Sequence, residues 1–90
     1  MHDTTLRFAV QTSSGLPIYR QIMEQVCAMM AGGRLSPGEL LPSVRQLAAE
    51  LEVNMMTISK AYARLEADGV IERVAVQQYE GYARPVAFVG

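Results

Sequence analysis

Four side chains near the middle of the sequence are of types that hydrogen-bond to nucleic acids. They are Asn54, Thr57, Ser59 and Lys60. Their amide, hydroxyl and ammonium groups can contact phosphate oxygens, which position a protein on DNA, or base edges, which carry the sequence information. The sequence has one histidine, His2, and one cysteine, and these supply neither a catalytic triad nor a metal cluster. The residue types therefore predict binding, with no enzyme activity and no cofactor.

Two short helices joined by a tight turn are predicted to hold these side chains. The first helix has an apolar stripe at helical spacing, formed by Val44, Leu47, Ala48 and Leu51. Ser43, followed by Gln46 three residues later, predicts a capping box at its start. The stripe of the second helix consists of Ile58, Ala61, Tyr62 and Leu65. Asn54 suits the N-cap of this second helix, and it is either that cap or a base-reading side chain.

The outward face of the second helix is the predicted DNA-reading surface. At about 100° per residue, the side chains opposite the apolar stripe are Met56, Ser59, Lys60 and Ala63. Only about two or three residues separate the helices, which favours a helix-turn-helix over an antiparallel hairpin. In that motif the start of the second helix enters the major groove. Amphipathic helix pairs also occur in small domains that bind no nucleic acid, so periodicity alone leaves this alternative open.

A longer run of residues resembles a known family. It starts at Gly15 with GLPIYRQIMEQV, continues as GGRLSPGELLPSVRQLAAELEVNMMTISKAYARLEADGVIER and fades after Arg73. This run is similar to the winged-helix DNA-binding domain of GntR-type bacterial transcription regulators, and most similar to the YtrA-like branch.

The resemblance implies a fold, a function and partners. The fold is mainly α with a small β wing (α+β), a winged helix-turn-helix of three helices and a two-stranded antiparallel wing. The function is sequence-specific binding of double-stranded operator DNA by a transcription regulator that acts as a repressor. Family operators are inverted repeats read by two domains, so the resemblance implies a homodimer for tight binding.

Two arginines are assigned to the interface. Arg45 matches the arginine of the family that contacts the DNA backbone or a base from the first helix, and a solvated surface arginine is the alternative. Arg64 lies beside the outward face of the second helix, where a salt bridge with Glu66 or Asp68 is as plausible as a DNA contact.

Two methionines, Met55 and Met56, begin the second helix. Family members often place an arginine or proline and then a small polar residue here. An arginine would contact guanine, which methionine cannot do. Met56 is expected either to contact a thymine methyl group or to be a plain exposed side chain. Met55 is assigned to the same interface, with the alternative that it tucks against the turn and is half buried.

Length and composition predict one small cytoplasmic domain. Half of the 90 residues are apolar, which is enough for a modest core. No apolar run approaches the length of a membrane span, and the first residues do not resemble a signal peptide. Cys27 falls in a helical stripe, which predicts a core thiol in a reducing compartment. The net charge of −1 predicts limited phosphate neutralisation and DNA affinity that is sensitive to salt.

Residues 1–90 are thus predicted to form one DNA-binding domain, with no effector domain after Gly90. Residues 1–14 are expected to be an N-terminal arm, either an edge strand or an extended segment, because apolar and other residues alternate from Leu6 to Val10. A third helix, which precedes the other two in the chain, should follow Pro17 and end at Gly32-Gly33. Pro37-Gly38 predicts a turn.

Residues 74–90 form an atypical wing and tail. The first wing strand is expected to begin at Val70-Ile71, and strand residues are also expected at Val74–Val76 and Val86–Val89, with a turn between them. Family wings have a basic, glycine-rich tip, whereas this chain has Glu80 at the tip and keeps Arg84 near the turn. The acidic balance and altered wing motivate one alternative function, a winged-helix module for protein–protein contact. The core is predicted at Ile22, Val26, Leu47, Leu51, Ile58, Tyr62, Leu65 and Ile71.

Overall fold

Three helices and one small antiparallel sheet make up the fold. The structure is a computed structural model that describes residues 8–36, 39–74 and 82–86. The elements in chain order are α1 (Ile18–Ala31), α2 (Val44–Leu51), α3 (Met55–Ala67), β1 (Ile71–Arg73) and β2 (Ala83–Pro85). Helix α3 packs on both α1 and α2 and leads directly into the sheet. The predicted architecture of three helices and a two-stranded antiparallel wing is confirmed.

Helix α1 starts and ends where proline and glycine predicted. The carbonyl of Pro17 accepts from the N–H groups of Arg20 and Gln21 at 3.0 and 3.1 Å. Proline suits this position, because an N–H group at the start of a helix has no partner within the helix. Gly32 caps the far end, and Gly33 has φ 75°, a left-handed conformation that glycine adopts without strain. The buried face of α1 consists of Ile22, Val26 and Met29.

Cys27 is exposed, so the prediction of a core thiol is wrong. Val26 occupies the core position, and the next residue along a helix points about 100° away. Cys27 therefore faces a surface groove that Arg20, Glu24 and Asp68 help to line. Partial burial raises the pKa of the Cys27 thiol, and the nearby charges of Asp68 and Glu24 raise it further.

The core lies where α1, α2 and α3 meet the sheet. Its buried apolar side chains are Phe8, Ile22, Val26, Met29, Leu35, Leu41, Leu47, Ala48, Ile58, Ala61, Tyr62, Leu65, Ile71 and Ala83. Leu51 was predicted to be buried but is only partly so, because it ends α2 at the rim of the core. In the connector, Leu35 and Leu41 are buried whereas Leu40 is exposed. The turn predicted at residues 37–38 lies outside the described residues.

The sheet pairs Ile71 with Pro85, Glu72 with Arg84, and Arg73 with Ala83. The predicted start of the first wing strand is confirmed, since β1 begins at Ile71. Val74 and Val86 were also predicted to lie in strands, but they fall just outside β1 and β2. The N–H of Val86 donates to Val70 at 2.9 Å, and the N–H of Val74 donates to Tyr82 at 3.1 Å.

These two bonds explain the strand positions. They place Pro85 at a position whose missing N–H would not join β1. Ile71, Ala83 and Pro85 are buried, so core packing selects this register, and the N–H of Leu41 donates to the outer carbonyl of Ala83 at 2.7 Å. Residues 75–81 and 87–90, which hold the rest of the predicted strands and the wing tip with Glu80, lie outside the described residues.

The N-terminal segment is extended and bound to α1 by two glutamines. The side chain of Gln21 accepts from the N–H of Gln11 at 2.8 Å and donates to the carbonyl of Gln11 at 2.9 Å. One turn further along α1, the side chain of Gln25 binds the N–H and the carbonyl of Ala9 in the same way. Phe8 is buried. Residues 8–11 thus form the predicted extended arm rather than a strand, and residues 12–14 turn towards α1. Residues 1–7 lie outside the described range.

Candidate nucleic-acid interface

The turn between α2 and α3 fixes the direction of α3. Glu52 has φ 58° and ψ 44°, the only positive φ of a non-glycine residue in the described part of the chain. This left-handed residue ends α2, and its N–H donates to the carbonyls of Ala48 and Ala49. The N–H of Val53 also returns to Ala48 at 3.0 Å. Backbone hydrogen bonds therefore hold the turn, and Asn54 follows it directly at the start of α3.

Asn54 is the N-cap of α3, and its side-chain oxygen accepts from the N–H of Met56 at 2.7 Å. The cap interpretation is confirmed, because the oxygen that would read a base is bound to the start of the helix. The capping box of α2 is confirmed as well. The hydroxyl oxygen of Ser43 accepts from the N–H of Gln46 at 3.1 Å, and the side chain of Gln46 accepts from the N–H of Ser43 at 3.0 Å.

The inner face of α3 is packed along its whole length by Ile58, Ala61, Tyr62 and Leu65. The phenol of Tyr62 donates to the carbonyl of Pro42 at 2.6 Å. Burial raises the pKa of Tyr62 far above the usual value, and the nearby charge of Arg73 opposes the shift. The phenol is thus neutral and remains a hydrogen-bond donor.

The outer face of α3 carries most of the predicted contact residues. Met55, Met56, Ser59, Lys60 and Arg64 are all exposed, and Thr57 is half buried. Met55 is 46% exposed, which fits the expectation of a half-buried side chain and still leaves part of it open to a partner. These side chains therefore form one continuous surface on the start and middle of α3.

Tyr19 is a part of this surface that sequence reasoning missed. The ammonium of Lys60 lies 4.3 Å from the centre of its ring, and the guanidinium of Arg64 lies 5.7 Å from it. Both distances are in the range of cation–π attraction. Arg64 therefore lies over an aromatic ring instead of pairing with Glu66 or Asp68. No local pattern reveals this contact, because Tyr19 comes from α1.

Arg45 is a further exposed cation, on α2. It is the second residue of that helix and is exposed. Among the residues described, it has no carboxylate within 4.0 Å. Arg45, Lys60 and Arg64 are therefore available to bind anions, although each comes from a different helical turn.

The arginines of the sheet are paired with carboxylates. Arg84 lies within β2, not near the turn as the sequence suggested, and its Nε is 2.6 Å from Oε2 of Glu72 on β1. The Nε of Arg73 is 3.5 Å from Oε1 of Glu66. Their positive charges are thus partly neutralised before any DNA approaches.

The comparisons with known proteins identify the family. The model for bacterial regulatory proteins of the gntR family matches residues 18–77. This chain belongs to the GntR family. The HTH-type transcriptional repressor YtrA of Bacillus subtilis (strain 168) is 44% identical over 63 residues, which are 70% of this chain and 48% of that protein. The GntR chain described here thus spans about half the length of that relative.

Solved structures of GntR proteins share the fold. YtrA from Sulfolobus acidocaldarius, a GntR-family transcription factor, is 39% identical with a TM-score of 0.78, covering 91% of this chain and 82% of that one. The DNA-binding domain of AraR in complex with operator ORX1 is 27% identical with a TM-score of 0.70, covering 91% and 96%. The fold is therefore that of the winged-helix domains of GntR regulators.

The described residues of the GntR chain lack two kinds of feature. In that part of the molecule, no three side chains of His, Cys, Asp or Glu come together as a metal site would require. Nor does any helix there have the length and apolar character needed to span a bilayer.

Proposed function

We propose that this chain is the DNA-binding domain of a GntR-family transcription repressor that reads a double-stranded operator with α3 in the major groove. The observation that carries the proposal is the outer face of α3, which presents exposed contact groups from Met55 to Arg64 while the inner face is fully packed. A helix with its side chains is about 10–12 Å across, and the major groove is about 12 Å wide. AraR, whose domain has the same fold, is bound to an operator in its structure.

The residues of the surface have distinct proposed roles. Arg45 and Lys60 contact phosphates or, for Arg45, a base edge. Thr57 and Ser59 supply hydroxyl groups to either partner. The N–H groups at the start of α3 favour a phosphate there, and Asn54 contributes by fixing that end of the helix. Arg64, beside Tyr19, approaches the DNA backbone.

The electrostatics favour weak binding by one domain. The chain has eight Lys and Arg residues against nine Asp and Glu residues, and Arg73 and Arg84 are engaged with carboxylates. Each phosphate that a protein neutralises adds about −0.9 to the slope of log K against log salt. A few free cations therefore support modest affinity that falls as salt rises, with a slope less steep than that of a strongly basic domain, and specificity carried by α3.

Tight binding is proposed to need two domains on an inverted repeat. Two recognition helices of a symmetric dimer lie about 34–36 Å apart, one turn of DNA. Linking two domains raises the apparent affinity by effective concentration, often by about 10²–10⁴. We take residues 1–90 as one such domain, acting on the chromosome in the cytoplasm.

A mobility shift or anisotropy titration on duplex DNA at low salt tests this function. Selection from random DNA supplies the duplex, and Arg45→Ala and Thr57→Ala test the surface. Arg45→Ala is expected to lose about 1–3 kcal/mol of binding free energy if the guanidinium reaches a base, and Thr57→Ala about 0.5–1.5 kcal/mol. If DNA binding is unchanged by Arg45→Ala, Thr57→Ala and Lys60→Ala, then α3 does not lie in the groove. The alternative, a module for protein–protein contact, would then be favoured.

A further inference from the structure

The first turn of α3 presents two neighbouring thioether side chains to solvent. Met56 is 77% exposed and Met55 is 46% exposed. The side chain of Asn54 accepts from the N–H of Met56, so both methionines project from a helix start that is held in place. Single exposed apolar residues are common on proteins. Two adjacent ones at the point where α3 would enter a groove indicate an apolar contact with the partner.

The positive charges of α3 belong to later turns of the helix, where they lie over the Tyr19 ring. Lys60 is 4.3 Å from the centre of the Tyr19 ring, and Arg64 is 5.7 Å from it. Residues 55–58, Met-Met-Thr-Ile, carry no charge. Bidentate recognition of guanine needs an arginine or lysine at the base edge. The start of α3 therefore lacks the donors that guanine requires.

Thymine is the base that shows an apolar group in the major groove, its C5-methyl. From this match we infer that Met56, with Met55 beside it, reads thymine C5-methyl groups, so that each half-site has thymine opposite the start of α3. The inference rests on the proposed function and names the specificity of that surface. Removing one methyl group from water corresponds to about a fourfold gain in affinity.

Replacement of thymine by deoxyuridine tests the contact, because deoxyuridine lacks only the methyl group. A duplex recovered by the wild-type chain from random DNA is made with each thymine replaced in turn, and affinity is measured by fluorescence anisotropy. We expect about a fourfold loss at one or two thymines. The remaining thymines serve as internal controls, with unchanged affinity.

Substitution of Met56 completes a cycle with the modified base. Met56→Ala should bind the thymine duplex more weakly and bind the thymine and deoxyuridine duplexes equally well. Met56→Leu should retain the deoxyuridine effect, whereas Met56→Gln, of similar length but polar, should lose it. Ser59→Ala is the matched control on the same face and should leave the deoxyuridine effect unchanged. Circular dichroism of each variant establishes that all share one fold.

The possible results distinguish failure of this inference from failure of the proposed function. Failure to recover any duplex overturns the proposed function and the inference together. Selective binding that is insensitive to deoxyuridine at every position overturns the inference alone. A deoxyuridine effect that persists unchanged in Met56→Ala and in Met55→Ala also overturns it, because the methyl group would then be sensed elsewhere.

Discussion

The phenol of Tyr62, in the middle of α3, donates a 2.6 Å hydrogen bond to the backbone carbonyl of Pro42, immediately before the N-cap of α2. The side chain is fully buried, so the bond joins two elements inside the core. One end is in the helix proposed to read bases, and the other precedes the turn that carries Arg45. This contact therefore ties the proposed recognition helix to the start of α2.

Removing the Tyr62 hydroxyl should destabilise the domain without emptying the core. Tyr62→Phe leaves the carbonyl of Pro42 buried without its partner, and such a group costs about 1–3 kcal/mol. The free energy of unfolding from urea titration measures the loss. Tyr19→Phe is the control, since the half-buried ring of Tyr19 stays in place, and it should change stability by less than about 0.5 kcal/mol. Equal losses from both variants would refute the role of the Pro42 bond.

Core packing is tested most directly at Leu47. This side chain is fully buried between α2 and the rest of the core, so Leu47→Ala should lower the free energy of unfolding by about 2–5 kcal/mol. Leu40→Ala makes the same chemical change at an exposed leucine, and we expect a change within about 0.5 kcal/mol. A loss below that level for Leu47→Ala would place α2 outside the core.

The charge of Lys60 is expected to act on DNA without regard to sequence. Lys60→Ala should weaken binding to matched and mismatched duplexes by the same factor and reduce the salt slope by about one. Arg34→Ala removes one charge at the opposite end of α1 from Tyr19 and should leave the slope unchanged. Affinities measured at four or more salt concentrations give the slopes. A loss confined to the matched duplex would mean that Lys60 contacts a base.

The Tyr19 ring should help to hold the cations of α3 in place. Tyr19→Leu removes the ring under Lys60 and Arg64, so both side chains gain freedom that binding must then restrict. We expect DNA affinity to fall about two- to fivefold, which corresponds to the 0.5–1 kcal/mol typical of an exposed cation–π contact. Tyr19→Phe keeps the ring and should bind as the wild type does. Loss of affinity in Tyr19→Phe would instead implicate the hydroxyl.

The left-handed turn residue Glu52 should accept glycine and reject a β-branched side chain. Glu52→Val is expected to destabilise the domain by about 1 kcal/mol, because a β-branched residue is strained in the left-handed conformation beyond the glutamate already there. Glu52→Gly should be close to neutral, because relief of strain offsets the greater freedom of glycine in the unfolded chain. Thermal unfolding compares both variants with Glu50→Val, an exposed change within α2. A similar melting temperature for Glu52→Val and Glu50→Val would argue against strain at the turn.

Local patterns predicted the helices and their caps because these depend on neighbouring residues. Ser43 with Gln46, and Asn54 with the N–H of Met56, involve partners at most three residues apart. The apolar stripes likewise identified most of the core. The prediction that Cys27 is buried failed because one residue along α1 turns the side chain by about 100°. That step leads from the core at Val26 to a polar groove at Cys27.

Contacts between distant segments could not be predicted in the same way. The position of β2 follows from the burial of Ala83 and from its carbonyl bond with Leu41, which no window of sequence contains. Tyr19 under Lys60 and Arg64 is another such case. The residues proposed to contact DNA could be named from the sequence of α3 itself, whereas the Tyr19 ring that α1 places under two of them could not.

The two glutamines of α1 have a consequence for local unfolding of the N-terminal segment. Gln21 and Gln25 take the place of a neighbouring strand, because each amide binds both backbone groups of one residue in the arm. The amide hydrogens of Ala9 and Gln11 can exchange with solvent only when those side chains release them or α1 itself opens. Chain ends normally fray at almost no free-energy cost. Here we expect Ala9 and Gln11 to open together with the Gln21 and Gln25 side chains, and hydrogen exchange should show their amides as protected rather than frayed.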